Sequence, residues 1–250
     1  MNIIVCIKQV PDTETRIKIG SDGKTIDRSE VEWVVNPYDE YAVEEALQIK
    51  ERTGQGEVAI LSVGGEGAMT AIRSCLAMGA DRGMLIRAEV PFGDAHVTAA
   101  ALAAVLREMT FDLLLFGKQA VDDDNAQVNQ VVAQMLDLPC VTAVTKLELQ
   151  GGKARAQREV EGGTEIVETS LPAVFSAEKD LNQPRYASLK GIMAAKKKQI
   201  EEKTPAVEER RVEVLEMLKP PPRPAGRIVG EGPEAVPELV KLLQQEAKVV

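Results

Sequence analysis

The sequence predicts an α/β protein on a parallel sheet, with an antiparallel meander late in the chain and an extended C-terminal arm. Three observations predict it. From Asn2 to Met135, short apolar runs of strand length alternate with stretches of helix length, which is the pattern of βαβ units. After Cys140, three strand-like stretches are separated only by Gly151-Gly152 and Gly162-Gly163, the spacing of hairpin turns. The region 200–250 begins charged and carries Pro220, Pro221, Pro222, Arg223 and Pro224, which must be extended or polyproline-like.

The elements follow in order. Asn2–Ile7 is an apolar first strand. Arg16–Ile26 holds Gly20 and Asp22-Gly23 and reads as a polar hairpin excursion. Asn36-Pro37 opens a helix, with Asn at the N-cap and Pro at the first helical position. Val43, Ala46 and Leu47 give that helix an apolar face, and Gly54 is its stop. Val58–Val63 is a second buried strand ending at Gly64-Gly65. Ala68–Met78 fits a helix, Met84–Ile86 a third strand, and Ala95–Met109 an alanine-rich helix. Leu113–Phe116 is the next strand, and Val131, Val132 and Met135 have helical spacing. Thr142–Leu149, Ala154–Val160 and Glu165–Leu171 form the meander. Leu171–Ser176 returns to the buried sheet. Lys196–Lys198 ends a further helix, Glu201–Glu209 is charged and poor in apolar residues, and Pro237–Ala247 is an amphipathic helix. That last helix cannot bury its face alone and needs another surface.

Composition narrows the function. The chain has 250 residues, 44% of them hydrophobic and 3% aromatic, so its core must be built from aliphatic side chains and Met. A net charge of −9 argues against general nucleic-acid binding. No run reaches the ~20 apolar residues of a membrane span. The N-terminus enters a strand directly, without a signal-peptide pattern. Cys6, Cys75 and Cys140 are scattered, which suits a reducing cytoplasm rather than a disulfide frame or metal site. His96 is the only histidine, which disfavours a His-based catalytic dyad or a multi-His metal site. No catalytic residue and no metal ligand is expected.

The most informative stretch is Gly117, Lys118, Gln119, Ala120, Val121, Asp122, Asp123, Asp124, Asn125, Ala126, Gln127 and Val128. It joins a buried strand to a helix. Such junctions at the carboxyl ends of parallel strands are where α/β proteins bind ligands. The helix N-terminus offers free N–H groups to a phosphate, and the carboxylates and amides can accept from ribose hydroxyls or an adenine amine. Taken alone, the triple aspartate would be read as a solvated helix start.

Five stretches in order resemble the β subunit of electron transfer flavoproteins. They are 5–11 (VCIKQVP), 36–46 (NPYDEYAVEEA), 76–82 (LAMGADR), the 117–128 loop, and 181–193 (LNQPRYASLKGIM) followed by Lys196–Lys198. The resemblance implies a flavodoxin-like, adenine nucleotide α-hydrolase-like sheet and an arm wrapping an α subunit. It implies an electron carrier without catalytic side chains of its own. The heterodimer takes electrons from dehydrogenases, such as acyl-CoA dehydrogenases, on an FAD held mainly by the α subunit. It passes them to a quinone oxidoreductase or similar acceptor. The β subunit buries a structural AMP.

Carried over residue by residue, AMP would touch Cys6 through backbone, then Asn36, Pro37, Tyr38 and Asp39, then Val63 and the Gly117–Val128 loop. Leu181, Asn182, Pro184, Arg185, Tyr186, Leu189 and Met193 correspond to the family's partner-recognition segment, with Leu189 as the apolar anchor. Leu189 could equally fill a local core. The residue near the flavin ring falls at about Thr13. The resemblance divides the chain into an α/β domain over 1–199, with recognition segment 177–199, and a C-terminal arm over 200–250.

Two other readings remain. A bifurcating relative would carry a second FAD instead of AMP and take electrons from NADH. Asp94, Thr98 and the spacing of Asp122, Asp124, Ala126, Gln127 and Val128 partly resemble that branch. A nucleotide-sensing protein of the universal-stress type would share the sheet but would lack the arm.

Overall fold

In the computed structural model, residues 1–88, 94–206, 209–222 and 225–250 are described. The chain divides into two compact units, Met1–Glu216 and Met217–Val250.

The first unit contains β1 (Asn2–Ile7), β2 (Gln9–Pro11), β3 (Trp33–Val35), α1 (Pro37–Thr53), β4 (Glu57–Gly64), α2 (Ala68–Met78), β5 (Arg82–Arg87) and α3 (Ala95–Leu106). It continues with β6 (Leu113–Gly117), α4 (Val128–Leu136), β7 (Cys140–Gln150), β8 (Lys153–Val160), β9 (Gly163–Ser170), β10 (Ala173–Ala177), α5 (Leu189–Lys197) and β11 (Ile200–Lys203). Among the described residues the main sheet runs β11-β5-β4-β1-β6-β10-β7-β8-β9. It is parallel from β11 to β7 and antiparallel from β7 to β9.

Strand geometry alternates side chains between two faces, and the central strands are apolar on both. Ile3, Val5 and Ile7 of β1 join the layer packed by α1, α2 and Ala195 of α5. Ile4 and Cys6 join the layer packed by α3 and α4. Two-sided cover explains the continuous apolar runs. Each fully buried aliphatic side chain, such as Ile60 or Leu114, contributes roughly 1.5–3 kcal/mol.

The expected strands, helices and meander are all present, with three differences. The alanine-rich helix ends at Leu106 rather than at Met109. The charged stretch after Gln199 begins with a strand, β11, paired parallel to β5. The reversal over Arg16–Ile26 forms an isolated bridge, Ile19 to Ile26, rather than paired strands, closed by backbone bonds such as Gly20 N–H to the Thr25 carbonyl and Asp27 N–H to the Lys18 carbonyl, and beside it β2 and β3 form an unforeseen antiparallel pair.

The second unit holds a short 3₁₀ turn over Pro233–Ala235, α6 (Val236–Leu242) and a π turn over Leu243–Ala247, with Arg227 paired to Glu246 at 2.8 Å. Val207, Glu208, Arg223 and Pro224 lie outside the described residues. No helix among the described residues is long and apolar enough to cross a membrane.

The topology fixes one location. From β1 the chain moves through β4 to β5 on one side, then crosses back to β6 on the other side of β1. Ligands of open α/β sheets bind outside the carboxyl ends of the strands at such a switch point, here beyond Ile7 and Gly117.

Candidate functional site

Asp39 closes the floor of that crevice. It lies in the first turn of α1 and is 5% exposed. Its Oδ2 accepts from the Lys8 N–H at 2.7 Å and its Oδ1 from the Gly117 N–H at 3.0 Å. One carboxylate thus ties together the chain leaving β1 and the end of β6. Asn36 Nδ2 donates to Asp39 Oδ1 at 3.0 Å and to the Gln119 carbonyl at 2.8 Å. Asn36 Oδ1 accepts from the Val121 N–H at 3.1 Å.

Asn36 takes the expected N-cap position of α1, but its side chain makes no cap bond, because both ends of the amide are used on the 117–128 loop. Asn36 serves α1 through its carbonyl, which accepts from Asp39 and Glu40, while Pro37 takes the first helical position.

The loop itself is strained and braced. Asp124 and Ala126 have φ of 49° and 51°, a left-handed conformation costing about 1–2 kcal/mol for a residue with a Cβ. Such strain concentrates at functional sites. The Lys8 ammonium bonds Asp122 Oδ1 at 2.7 Å and Asp123 Oδ2 at 3.0 Å. Two of the three aspartates are thus engaged by a cation that the sequence reading did not single out. Gln119 Nε2 donates to Asp124 Oδ1 at 2.7 Å, and Gln130 Nε2 to the Ala126 carbonyl at 2.8 Å. Lys118 pairs with Glu178 at 2.7 Å and stands 6.0 Å from the Tyr38 ring centroid.

Two features remain for a ligand. Val128 and Asn129 open α4, where helix geometry supplies no intrahelical acceptor for their N–H groups. Asn129 is 3% exposed, and its buried Nδ2 has no hydrogen-bond partner. Unpaired buried donors are rare enough to need an explanation. Cys6 faces the α3–α4 layer, and Val63 packs on the same layer at the end of β4. Burial, then the Asp39 charge, pushes the Cys6 thiol well up, so it stays neutral. Thr13 sits exposed in a turn after β2.

Burial pushes the Asp39 carboxyl up to about 7, against the pull of its bonds to Asn36, Lys8 and Gly117. A carboxyl with a raised native pKa binds its proton more tightly when folded. Its contribution to stability is complete below the unfolded pKa near 3.9 and is lost as pH rises through about 7. The stability difference between wild type and Asp39→Asn should therefore shrink by roughly 1 kcal/mol per pH unit between about pH 5 and 7. Urea unfolding at a series of pH values reads this directly, and parallel profiles would contradict it.

The predicted recognition residues split into two groups. Leu181 packs partly against the core. Asn182 Nδ2 donates to the Tyr41 carbonyl at 3.0 Å, Arg185 pairs with Glu44 and Glu51, and Pro184 is half-buried. Tyr186 is 99% and Leu189 84% exposed, and Ile192 and Met193 are exposed beside them. Leu189 does not fill a local core. α5 buries only Ala195. Its cap is Ser188, whose Oγ accepts from the Gly191 N–H at 3.0 Å.

Among the described residues no cluster of His, Cys, Asp or Glu could hold a metal ion.

The family model described as the electron transfer flavoprotein domain matches residues 23–208. The chain is similar to the electron transfer flavoprotein subunit beta of Bacillus subtilis, 42% identical with 100% of both chains covered. It is also 42% identical to the subunit of that name from Syntrophomonas wolfei, over 100% of this chain and 98% of that one. The mitochondrial subunit beta of Oryza sativa subsp. japonica is 38% identical over the full length of both.

Proposed function

Since the chain belongs to the electron transfer flavoprotein family as a β subunit, and so serves electron transfer, we propose that it works as half of a heterodimer in the cytoplasm and buries AMP in its own crevice. The α subunit holds the FAD, and the C-terminal arm packs on that subunit. Dehydrogenases dock on the exposed face carrying Leu189, and a quinone oxidoreductase or similar acceptor receives the electrons.

The observation that carries the AMP reading is the crevice between the ends of β1 and β6. The first turn of α4 and the orphaned Asn129 Nδ2 suit an adenylate phosphate, since helix N-termini favour anions. Gly117 lets the end of β6 pack directly on the start of α1 at the crevice floor, where a Cβ would lie 2.3 Å from Asp39 Oδ1. The residues present fit the group. Asn36 and Asp39 support the site from below, and Lys8 offsets the aspartates that would otherwise repel a phosphate.

The flavin supplies the redox chemistry, and this chain supplies binding, orientation and docking. Electron carriage requires no acid, base or nucleophile from it. Asp94 bears on the bifurcating alternative. Its carboxylate caps α3 by accepting from the Val97 N–H, and its other oxygen accepts from the N–H groups of Arg211 and Val212. Those bonds leave it poorly placed to serve a second nucleotide, which favours AMP.

Mass analysis of the nucleotides released from the copurified pair tests the reading. One FAD and one AMP per heterodimer are expected. Two FAD and no AMP would replace it with the bifurcating type, and the absence of any copurifying flavin-bearing chain would overturn it.

A further inference from the structure

We propose that Arg185 is a positioning residue, which holds the docking segment onto α1 and makes no contact with the electron donor itself. The proposal deepens the docking reading above and rests on it.

Residues 182–188 have no regular secondary structure, so no backbone ladder fixes them. Side chains do this instead. The Arg185 backbone N–H donates to Glu44 Oε2 at 3.1 Å. Its guanidinium grips Glu44 with Nε at 2.8 Å and Nη2 at 3.0 Å. It grips Glu51 with Nη1 at 2.5 Å and Nη2 at 3.1 Å. Four of its five N–H donors are thus spent on two carboxylates of one helix. Glu44 and Glu51 stand seven residues apart, close to two helical turns, and so share a face. Glu44 is buried and is held in turn by Gln48 at 2.9 Å. Asn182 adds its bond to the Tyr41 carbonyl.

Bidentate arginine–carboxylate pairs combine strength with fixed geometry. Arg185 turns inward, and the next residue, Tyr186, is almost fully exposed. Leu189 follows three residues later at the start of α5. The direction in which that apolar group projects is therefore set by the Arg185 clamp. The same helix seats the crevice, because Asp39 lies one and a half turns before Glu44. An arginine bound in this way has little left to offer an acidic group on a partner.

The test uses the copurified heterodimer and an acyl-CoA dehydrogenase reduced by its substrate, with dithionite as the small-molecule reductant. Arg185→Met and the double variant Glu44→Gln/Glu51→Gln should each raise the KM for the dehydrogenase about tenfold, equivalent to about 1.4 kcal/mol of docking free energy. The rate with dithionite and the nucleotide content should stay unchanged. Arg185→Lys should recover part of the loss. The double variant decides the role, because it frees the arginine without removing it. If that variant keeps a wild-type KM while Arg185→Met does not, Arg185 contacts the donor and the proposal falls. If neither changes the KM, it falls as well. Leu189→Ala is the reference. An unchanged KM there would overturn the docking reading itself, whereas a raised KM beside a wild-type Arg185→Met would overturn only the clamp. Should Arg185→Met fail to assemble, Arg185→Lys and the glutamine pair give the same decision.

Discussion

Replacing Gly117 by alanine is expected to remove the bound nucleotide and to destabilise the chain by roughly 3 kcal/mol or more. The new Cβ would lie 2.3 Å from Asp39 Oδ1, 2.7 Å from the Tyr38 carbonyl carbon and 2.7 Å from Tyr38 Cβ. Real Cβ contacts are far longer, and two of these three atoms belong to or adjoin a helix backbone. The side chain most able to move is Asp39, but it is buried and bonded to the Lys8 and Gly117 N–H groups and to Asn36. Moving it strands two backbone donors at the switch point, each costing about 1–3 kcal/mol. The loop position also depends on Asn36, which bonds Asp39 and Gln119 together. Thermal unfolding and nucleotide content of the copurified pair measure the effect. Gly65→Ala is the control, since nothing lies within 4 Å of a Cβ built there, and it should shift neither. A Gly117→Ala pair with full nucleotide and an unchanged Tm would show that the crevice is not built as described.

The parts of the fold that could be read in the sequence are those in which burial leaves a periodic trace. β1, β4 and β6 are covered on both faces, so each is a continuous apolar run. β11 leaves no such trace. It is an edge strand of sequence Ile-Glu-Glu-Lys with three exposed residues, and charge on an edge is how sheets avoid further pairing. β2 and β3 are three residues each, too short for any period to register. The alanine-rich helix stops at Leu106 although Arg107–Met109 have helical propensity, because propensity alone does not set a terminus.

The site shows the same division. The junctions that frame the candidate site were legible, since Asn36 precedes a helix start, Val63 lies near the end of β4 and Gly117 ends β6. The directions of its side chains were not. Asn36 has the residue type of an N-cap, yet a third partner, the loop carbonyl at Gln119, claims its amide. Arg185 has the residue type of a docking contact, yet it turns inward. Lys8 could have been found from charge alone: three adjacent aspartates beside a strand end call for a counter-ion, and Lys8 is the cation that directly follows β1.

Gly191→Ala should produce the reverse of Gly117→Ala: nucleotide retained and docking lost. Gly191 is the third residue of α5, and a Cβ there would lie 2.2 Å from the Ala77 carbonyl oxygen near the end of α2. That oxygen is backbone in a buried helix and cannot yield, so α5 must lift by roughly an ångström to restore van der Waals contact. In isolation alanine favours a helix over glycine by about 1 kcal/mol, which acts against any explanation by fraying. Lifting α5 breaks what holds it down. Ala195 is its one buried side chain, and Arg73 bonds the carbonyls of Ala195 at 3.0 Å and Lys198 at 3.3 Å. So little area is involved that the Tm should fall only slightly. Leu189, Ile192 and Met193 would nevertheless move together, and small displacements of a positioned contact can cost about 100-fold in rate. The KM for the dehydrogenase should rise at least as much as in Leu189→Ala, with dithionite reduction and AMP content at wild-type levels. Normal donor kinetics in Gly191→Ala would mean that the exposed face of α5 takes no part in docking, and the anchor would have to be sought elsewhere on the chain.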